Sequence, residues 1–156
     1  EEPEAKLYLG GRGSLRPRLE RYAAAENLAH RVAFLGFVPD AELNRLYNRA
    51  ACFVMPSMFE GFGIPVLEAQ AAGTPVVATD VEGLRTLVAP GETGLLAPYG
   101  DEAALAEAIL AVLRGRFTPP PDLSDRIRAE CSWERTAAAY ARALAALPTG
   151  SGSRKG

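Results

Sequence analysis

Short apolar runs recur along this chain, most of them closed by glycine or proline and each followed by residues at helical spacing. Residues 5–9 (AKLYL) end at a glycine-rich loop, Gly10-Gly11-Arg12-Gly13. Residues 31–35 (RVAFL) end at Gly36, residues 51–55 (ACFVM) at Pro56, residues 75–78 (PVVA) before Thr79-Asp80, and residues 94–97 (GLLA) at Pro98. Three to five consecutive apolar residues are too few for a buried helix and suit a strand covered on both faces. Between them the pattern predicts helices. One is expected from Leu15 to Ala29 with Ser14 as its cap, and one opens at Pro39-Asp40 with Leu43, Leu46 and Tyr47 on a single face. Another starts at Ile64 or Pro65 and stops at Gly73, and a short one follows Gly83. Asp101 caps a helix running to Leu113, and two more start at Leu123 and Trp133, the last reaching Leu147. Strands alternating with helices give a doubly wound, Rossmann-like α/β domain. Its sheet is mostly parallel, with helices on both faces and ligands at the carboxyl ends of the strands. The 156 residues suffice for one such domain, 1–149, followed by a linker-like tail, 150–156 (GSGSRKG).

Composition excludes several classes. Seventeen basic against nineteen acidic residues leave a net charge of −2, so no basic excess points to nucleic acid. No run approaches the ~18 apolar residues of a membrane span. The first residues, EEPEAK, are acidic and unlike a signal peptide. Cys52 sits in an apolar run and Cys131 stands apart from it; neither has the spacing of a metal or redox pair. A single histidine, His30, cannot build a His cluster, and no metal site is expected.

The chemistry concentrates in residues 56–80, PSMFEGFGIPVLEAQAAGTPVVATD. A strand leads through Glu60, Gly61, Phe62 and Gly63 into a helix. Two glycines let the backbone approach a ligand closely. Unpaired N–H groups and the positive end of the dipole make a helix start a seat for phosphate. Glu60 precedes that seat, and Glu68 lies five residues after Gly63, roughly 7.5 Å along a helix axis. Carboxylates accept hydrogen bonds from paired sugar hydroxyls. A sugar, a diphosphate and a ribose in a row fit the spacing. Singly, each residue has a plainer use: Glu68 complements a helix dipole, Glu60 is a solvated loop charge, and the glycines serve a turn. A glycosidase pair needs two carboxyls facing one scissile bond, and a helix start between them fits that poorly.

The run EGFGIPVLEA, with its two glutamates eight residues apart, resembles the Glu–seven residues–Glu motif of the family 4 retaining glycosyltransferases of GT-B fold. LYLGGRG, RVAFLGFVPDAELNRLYNRA, GTPVVATDVEGL, GETGLLAPYGDEAAL and SWERTAAAY are similar to further segments of that family's C-terminal, donor-binding domain, so the likeness spans residues 6–147. The resemblance implies that Glu60 is catalytic, binding hydroxyls of the donor sugar, and that Glu68 holds the ribose diol. It implies that the backbone of Gly61, Phe62, Gly63 and Ile64 approaches the sugar and diphosphate, that Phe37 and Val38 line the base, and that Gly11 and Gly13 border the same cleft. It further implies a metal-independent, retaining transfer of a hexose in carbohydrate biosynthesis. No cofactor is implied beyond the nucleotide-sugar substrate, and the setting is cytoplasmic, at most peripheral to a membrane.

The sequence departs from the family in three ways. Thr86 stands where the family often has Glu. The N-terminal acceptor domain is missing, and so are the first strand and helix of the donor domain, whose loop brings an Arg and a Lys to the diphosphate. Lys6 lies in a strand and does not replace that lysine, and Arg12 offers a stray contact only. In the strand order 3-2-1-4-5-6 the absent first strand lies between residues 5–9 and 51–55. The expectation is therefore an empty lane filled by a strand-completing partner chain, or by protein outside this sequence, and no ladder between those two strands. The last helix is expected to expose apolar surface. The isolated chain is expected to be inactive. Two other readings remain open: a non-catalytic nucleotide- or sugar-binding module, and a nucleotide-sugar epimerase of the same architecture. An intact Glu60–Glu68 pair favours the transferase over the first, and the lack of extra acid/base side chains disfavours the second.

Overall fold

The computed structural model describes residue 2 and residues 4–147. The tail read from residues 150–156 lies outside them. Among the described residues, five parallel strands and seven helices follow in the order β1 (Leu7–Gly10), α1 (Arg16–Ala25), β2 (Val32–Gly36), α2 (Asp40–Arg49), β3 (Phe53–Met55), α3 (Ile64–Ala71), β4 (Val76–Thr79), α4 (Glu82–Arg85), β5 (Gly94–Ala97), α5 (Glu102–Leu113), α6 (Leu123–Glu130) and α7 (Trp133–Ala145). This is the expected α/β architecture of parallel strands flanked by helices.

The strands form two sheets. β1 pairs with β2, and β3, β4 and β5 pair in that order, all in parallel. Among the described residues no ladder joins β1 to β3, so the break falls where the expected lane lies. The core sits in the three-stranded sheet. Val76, Val77 and Ala78 of β4 are fully buried, and with Tyr47, Val66, Ala69, Leu84 and Val88 they shut out water. In β1, α1 and its cap, by contrast, Leu7, Tyr8, Leu15, Leu19 and Tyr22 are exposed. α7 buries none of its residues, and its Trp133 is 85% exposed, in keeping with the apolar surface expected there.

Local chemistry explains where the element ends differ from the expectation. Ser14 does not cap α1, whose N-cap is Leu15 and whose second helical residue is Pro17. α1 also stops four residues before Ala29. Asn27 takes a left-handed conformation, its N–H donates to the Ala24 carbonyl, and the Leu28 N–H donates to that of Ala23, a Schellman termination. Gly73 ends α3 in the same way, its N–H on Gln70 and the Thr74 N–H on Ala69. It lies just past the cap residue, Ala72. Asp101 caps α5 as expected, accepting from the Ala104 N–H at 2.9 Å. α4 contains Gly83 instead of following it. α7 ends at Ala145, two residues short of Leu147. Strands β1 to β4 each begin one or two residues later than the apolar runs. Burial pushes the half-buried Cys52 thiol up to about 11, whereas Cys131 is exposed.

Candidate functional site

β3 delivers the chain to the loop that carries Glu60. Thr79, at the end of β4, pins that loop: its hydroxyl donates to the Ser57 carbonyl at 2.6 Å and lies 3.3 Å from that of Met55. Gly83 supports it from behind. A Cβ there would stand 2.0 Å from the Glu60 carbonyl oxygen, so only glycine lets α4 lie against the loop backbone. Thr86 donates its hydroxyl to the Gly83 carbonyl at 2.8 Å and steadies the same short helix. Glu60 is half-buried, and its carboxylate accepts from the Phe62 N–H at 3.4 Å.

The turn into α3 depends on Gly63, the N-cap, with φ +90°. A side chain there would be strained, and its Cβ would meet Leu84 at 2.8 Å and Leu87 at 3.2 Å. Pro65 brings no N–H, and that of Val66 is spent on the Gly63 carbonyl at 2.9 Å. The N–H groups of Gly63 and Ile64 have no backbone partner among the described residues, which narrows the expected anion seat to those two donors. Phe62 and Ile64 are 56% and 59% exposed, so the loop presents apolar side chains beside the amides.

Glu68 projects from the middle of α3 into a cavity of about 310 Å³ between α2 and α3, lined also by Asp40, Asn44, Tyr47 and Arg128. The Tyr47 hydroxyl donates to a Glu68 carboxylate oxygen at 3.1 Å. Arg128, from α6, donates to the Ala71 carbonyl at 2.9 Å at the far end of α3.

The remaining expected residues gather at the carboxyl ends of β1 and β2. The Gly11 N–H donates to the Gly36 carbonyl at 2.7 Å, the Arg12 guanidinium lies over the Phe37 ring at 5.6 Å, and Val38 packs beside Gly10. Gly13 follows in the same exposed loop. The structure therefore brings Gly11, Gly13, Phe37 and Val38 together on one sheet. It brings Glu60, Gly61, Phe62, Gly63, Ile64 and Glu68 together on the other. Asp40 links the groups, because only Pro39 separates it from Phe37–Val38 and it lines the same cavity as Glu68. Sequence reasoning missed Thr79, Gly83 and the role of Tyr47 beside Glu68. Tyr47 stands on the apolar face of α2, where nothing in the spacing separates a core tyrosine from one with a polar task.

Among the described residues no group of three or more His, Cys, Asp or Glu could hold a metal ion, and no helix is long and apolar enough to cross a membrane.

Comparison with known proteins follows the same lines. Residues 1–115 match the family described as glycosyl transferases group 1. The chain is 39% identical over 142 residues to a D-inositol 3-phosphate glycosyltransferase of Corynebacterium urealyticum, covering 89% of this chain and 34% of that protein. It is 40% identical over 112 residues to a phosphatidyl-myo-inositol mannosyltransferase of Mycobacterium leprae, covering 71% of this chain and 29% of that protein. The chain thus spans about a third of the length of these relatives. Among solved structures, sucrose-phosphate synthase from Thermosynechococcus elongatus superposes with a TM-score of 0.79 at 34% identity, covering 94% of this chain and 40% of that one. Anabaena HepE in complex with UDP superposes with a TM-score of 0.83 at 25% identity, covering 93% and 42%. Both neighbours have the GT-B architecture. With a family match over residues 1–115 of 156, this chain belongs to the glycosyl transferases group 1 family.

Proposed function

We propose that this chain is the donor-binding half of a retaining, metal-independent glycosyltransferase that moves a hexose from a nucleotide-diphosphate sugar to an acceptor. One observation carries the reading: Glu60 and Glu68 flank a helix start at which a left-handed Gly63 leaves two backbone N–H groups without a backbone partner among the described residues. Two amides at the positive end of a helix suit a diphosphate. Glu60, ahead of them, takes the hydroxyls of the sugar. Glu68, further along the helix, takes the ribose diol, with the Phe37–Val38 backbone along the base and Gly11 and Gly13 at the rim of the cleft. The UDP complex of the Anabaena neighbour supports a nucleotide diphosphate as ligand. An acceptor hydroxyl then attacks the anomeric carbon on the face from which the diphosphate departs. It forms the new glycosidic bond and gives its proton to a diphosphate oxygen, so no protein nucleophile and no cofactor is needed. The acceptor side belongs to the part of the relatives' length that this chain does not span, and the chain alone is expected to be inactive. The setting proposed is cytoplasmic, peripheral to a membrane at most.

Calorimetric titration of the chain with UDP-, GDP- and ADP-sugars tests the reading. Glu68→Ala should weaken the free nucleotide by ~1.5–3 kcal/mol, the range for hydrogen bonds to a charged group. Glu60→Ala should spare the free nucleotide and weaken only the sugar-bearing form. Equal losses of free-nucleotide binding in both variants contradict the assignment.

A further inference from the structure

Glu68 is an exposed carboxylate on a flexible side chain, yet a fixed donor meets it. Tyr47 is 7% exposed. Its ring stands edge-on to Phe53 of β3, with centroids 5.4 Å apart and planes at 81°. Its backbone carbonyl accepts the Thr74 hydroxyl at 2.6 Å. Held by both contacts, the phenol can place its hydroxyl in only a small region, and that region is the wall of the cavity into which Glu68 projects.

We propose that Tyr47 is a positioning residue for nucleotide binding: its hydroxyl fixes the Glu68 carboxylate so that the ribose diol of the donor meets two oriented oxygens. The proposal rests on the reading of Glu68 given above. The phenol occupies one lone pair of one oxygen, leaving the other lone pair of that oxygen and the whole of its neighbour to the diol. An untethered glutamate has to lose its rotamer freedom when the ligand arrives, and a carboxylate already held loses less. Desolvation first, and the neighbouring Glu68 charge second, raise the tyrosine pKa well above its ordinary value, so Tyr47 stays a donor across the usable pH range.

Tyr47→Phe keeps the ring and its contact with Phe53 and deletes only the hydroxyl. NMR-detected titration of the chain with UDP and with 2′,3′-dideoxy-UDP tests the proposal, each run in the wild type, Tyr47→Phe, Glu68→Ala and the double variant. Tyr47→Phe is expected to weaken UDP about tenfold, the scale of one hydrogen bond to a charged group. It is expected to leave dideoxy-UDP unchanged and to add nothing once Glu68 is alanine. A Tyr47→Phe loss shared equally by UDP and dideoxy-UDP would mean a merely structural tyrosine and would overturn the proposal. So would unchanged UDP affinity in Tyr47→Phe while Glu68→Ala is impaired. Unchanged UDP affinity in Glu68→Ala, or no UDP binding by the wild type, would remove the Glu68 reading itself.

Discussion

The two sheets of this molecule are built from similar sequence and reach different states. β4 lies between β3 and β5 and is buried along its whole length, while β1 has one partner and exposes Leu7 and Tyr8. Apolar runs alone do not decide burial; the number of neighbours a strand finds does. In the three-stranded sheet both ladders of β4 are satisfied, and helices pack on side chains fixed in place. In the two-stranded sheet α1 covers β2 with a face of which only Ala23 is buried.

Core truncation offers the sharpest way to break this contrast. Leu84→Ala, at a fully buried position, should cost about 2–5 kcal/mol through lost transfer energy and a residual cavity. Tyr22→Ala, at a position 64% exposed, should fall within about 0.5 kcal/mol. Urea unfolding of both variants reads the difference, and comparable losses would abolish the distinction between the two sheets.

A smaller effect is expected at Gly83. Alanine there must push back the Glu60 carbonyl, and overpacking of this kind costs about 1–3 kcal/mol. Because the displaced atoms belong to the Glu60 loop, sugar-nucleotide affinity should fall by more than free-nucleotide affinity. A Gly83→Ala chain of unchanged stability and unchanged sugar-nucleotide affinity would show that the loop can move freely.

The smallest effect concerns the tie between the amino-terminal segment and the rest. Arg114, the C-cap of α5, donates to the Glu2 carboxylate at 2.6 Å, and Arg31 donates to the Ala5 carbonyl at 2.9 Å and to the Glu2 carbonyl. The Arg114 hydrogen bond lowers the Glu2 pKa below its ordinary 4.5. A lowered carboxylate pKa means that the tie is fully present above the ordinary value and fades as pH falls through the lowered one. Acid titration followed by NMR should therefore shift the resonances of Glu2 and β1 together, below the range in which exposed glutamates titrate. Arg114→Gln should move that midpoint up toward the ordinary value. A Glu2 midpoint that ignores the substitution would show that the ion pair contributes nothing.

Much of this was legible in the sequence because glycine, proline and apolar runs act locally. All five strands and all seven helices were visible, and so were the Asp101 cap and the stop at Gly73. Ser14 misled because a good capping residue needs the helix to begin beside it, and this helix begins at Arg16, beyond Leu15. Ala29 misled because the left-handed turn at Asn27 looks in sequence like one more polar helix residue. The Glu60–Glu68 pair stood out by spacing. Its supports did not: Gly83 acts through a backbone contact 23 residues away in sequence, and Tyr47 through a hydrogen bond 21 residues away. Such contacts depend on the fold, and no local pattern carries them.

The break between the sheets also bears on the order of assembly. Parallel pairing requires a crossover, so each ladder closes a long loop before it gains anything. Phe53 finds Val76, and Val76 then finds Gly94, so one strand serves as template for two closures. Leu7 must find Val32 without any ladder to the other sheet to guide it. A chain arranged in this way is expected to nucleate around β4 and to add its amino-terminal unit late. Its cooperativity across the break rests on side-chain packing and ion pairs, because among the described residues no shared backbone ladder crosses it.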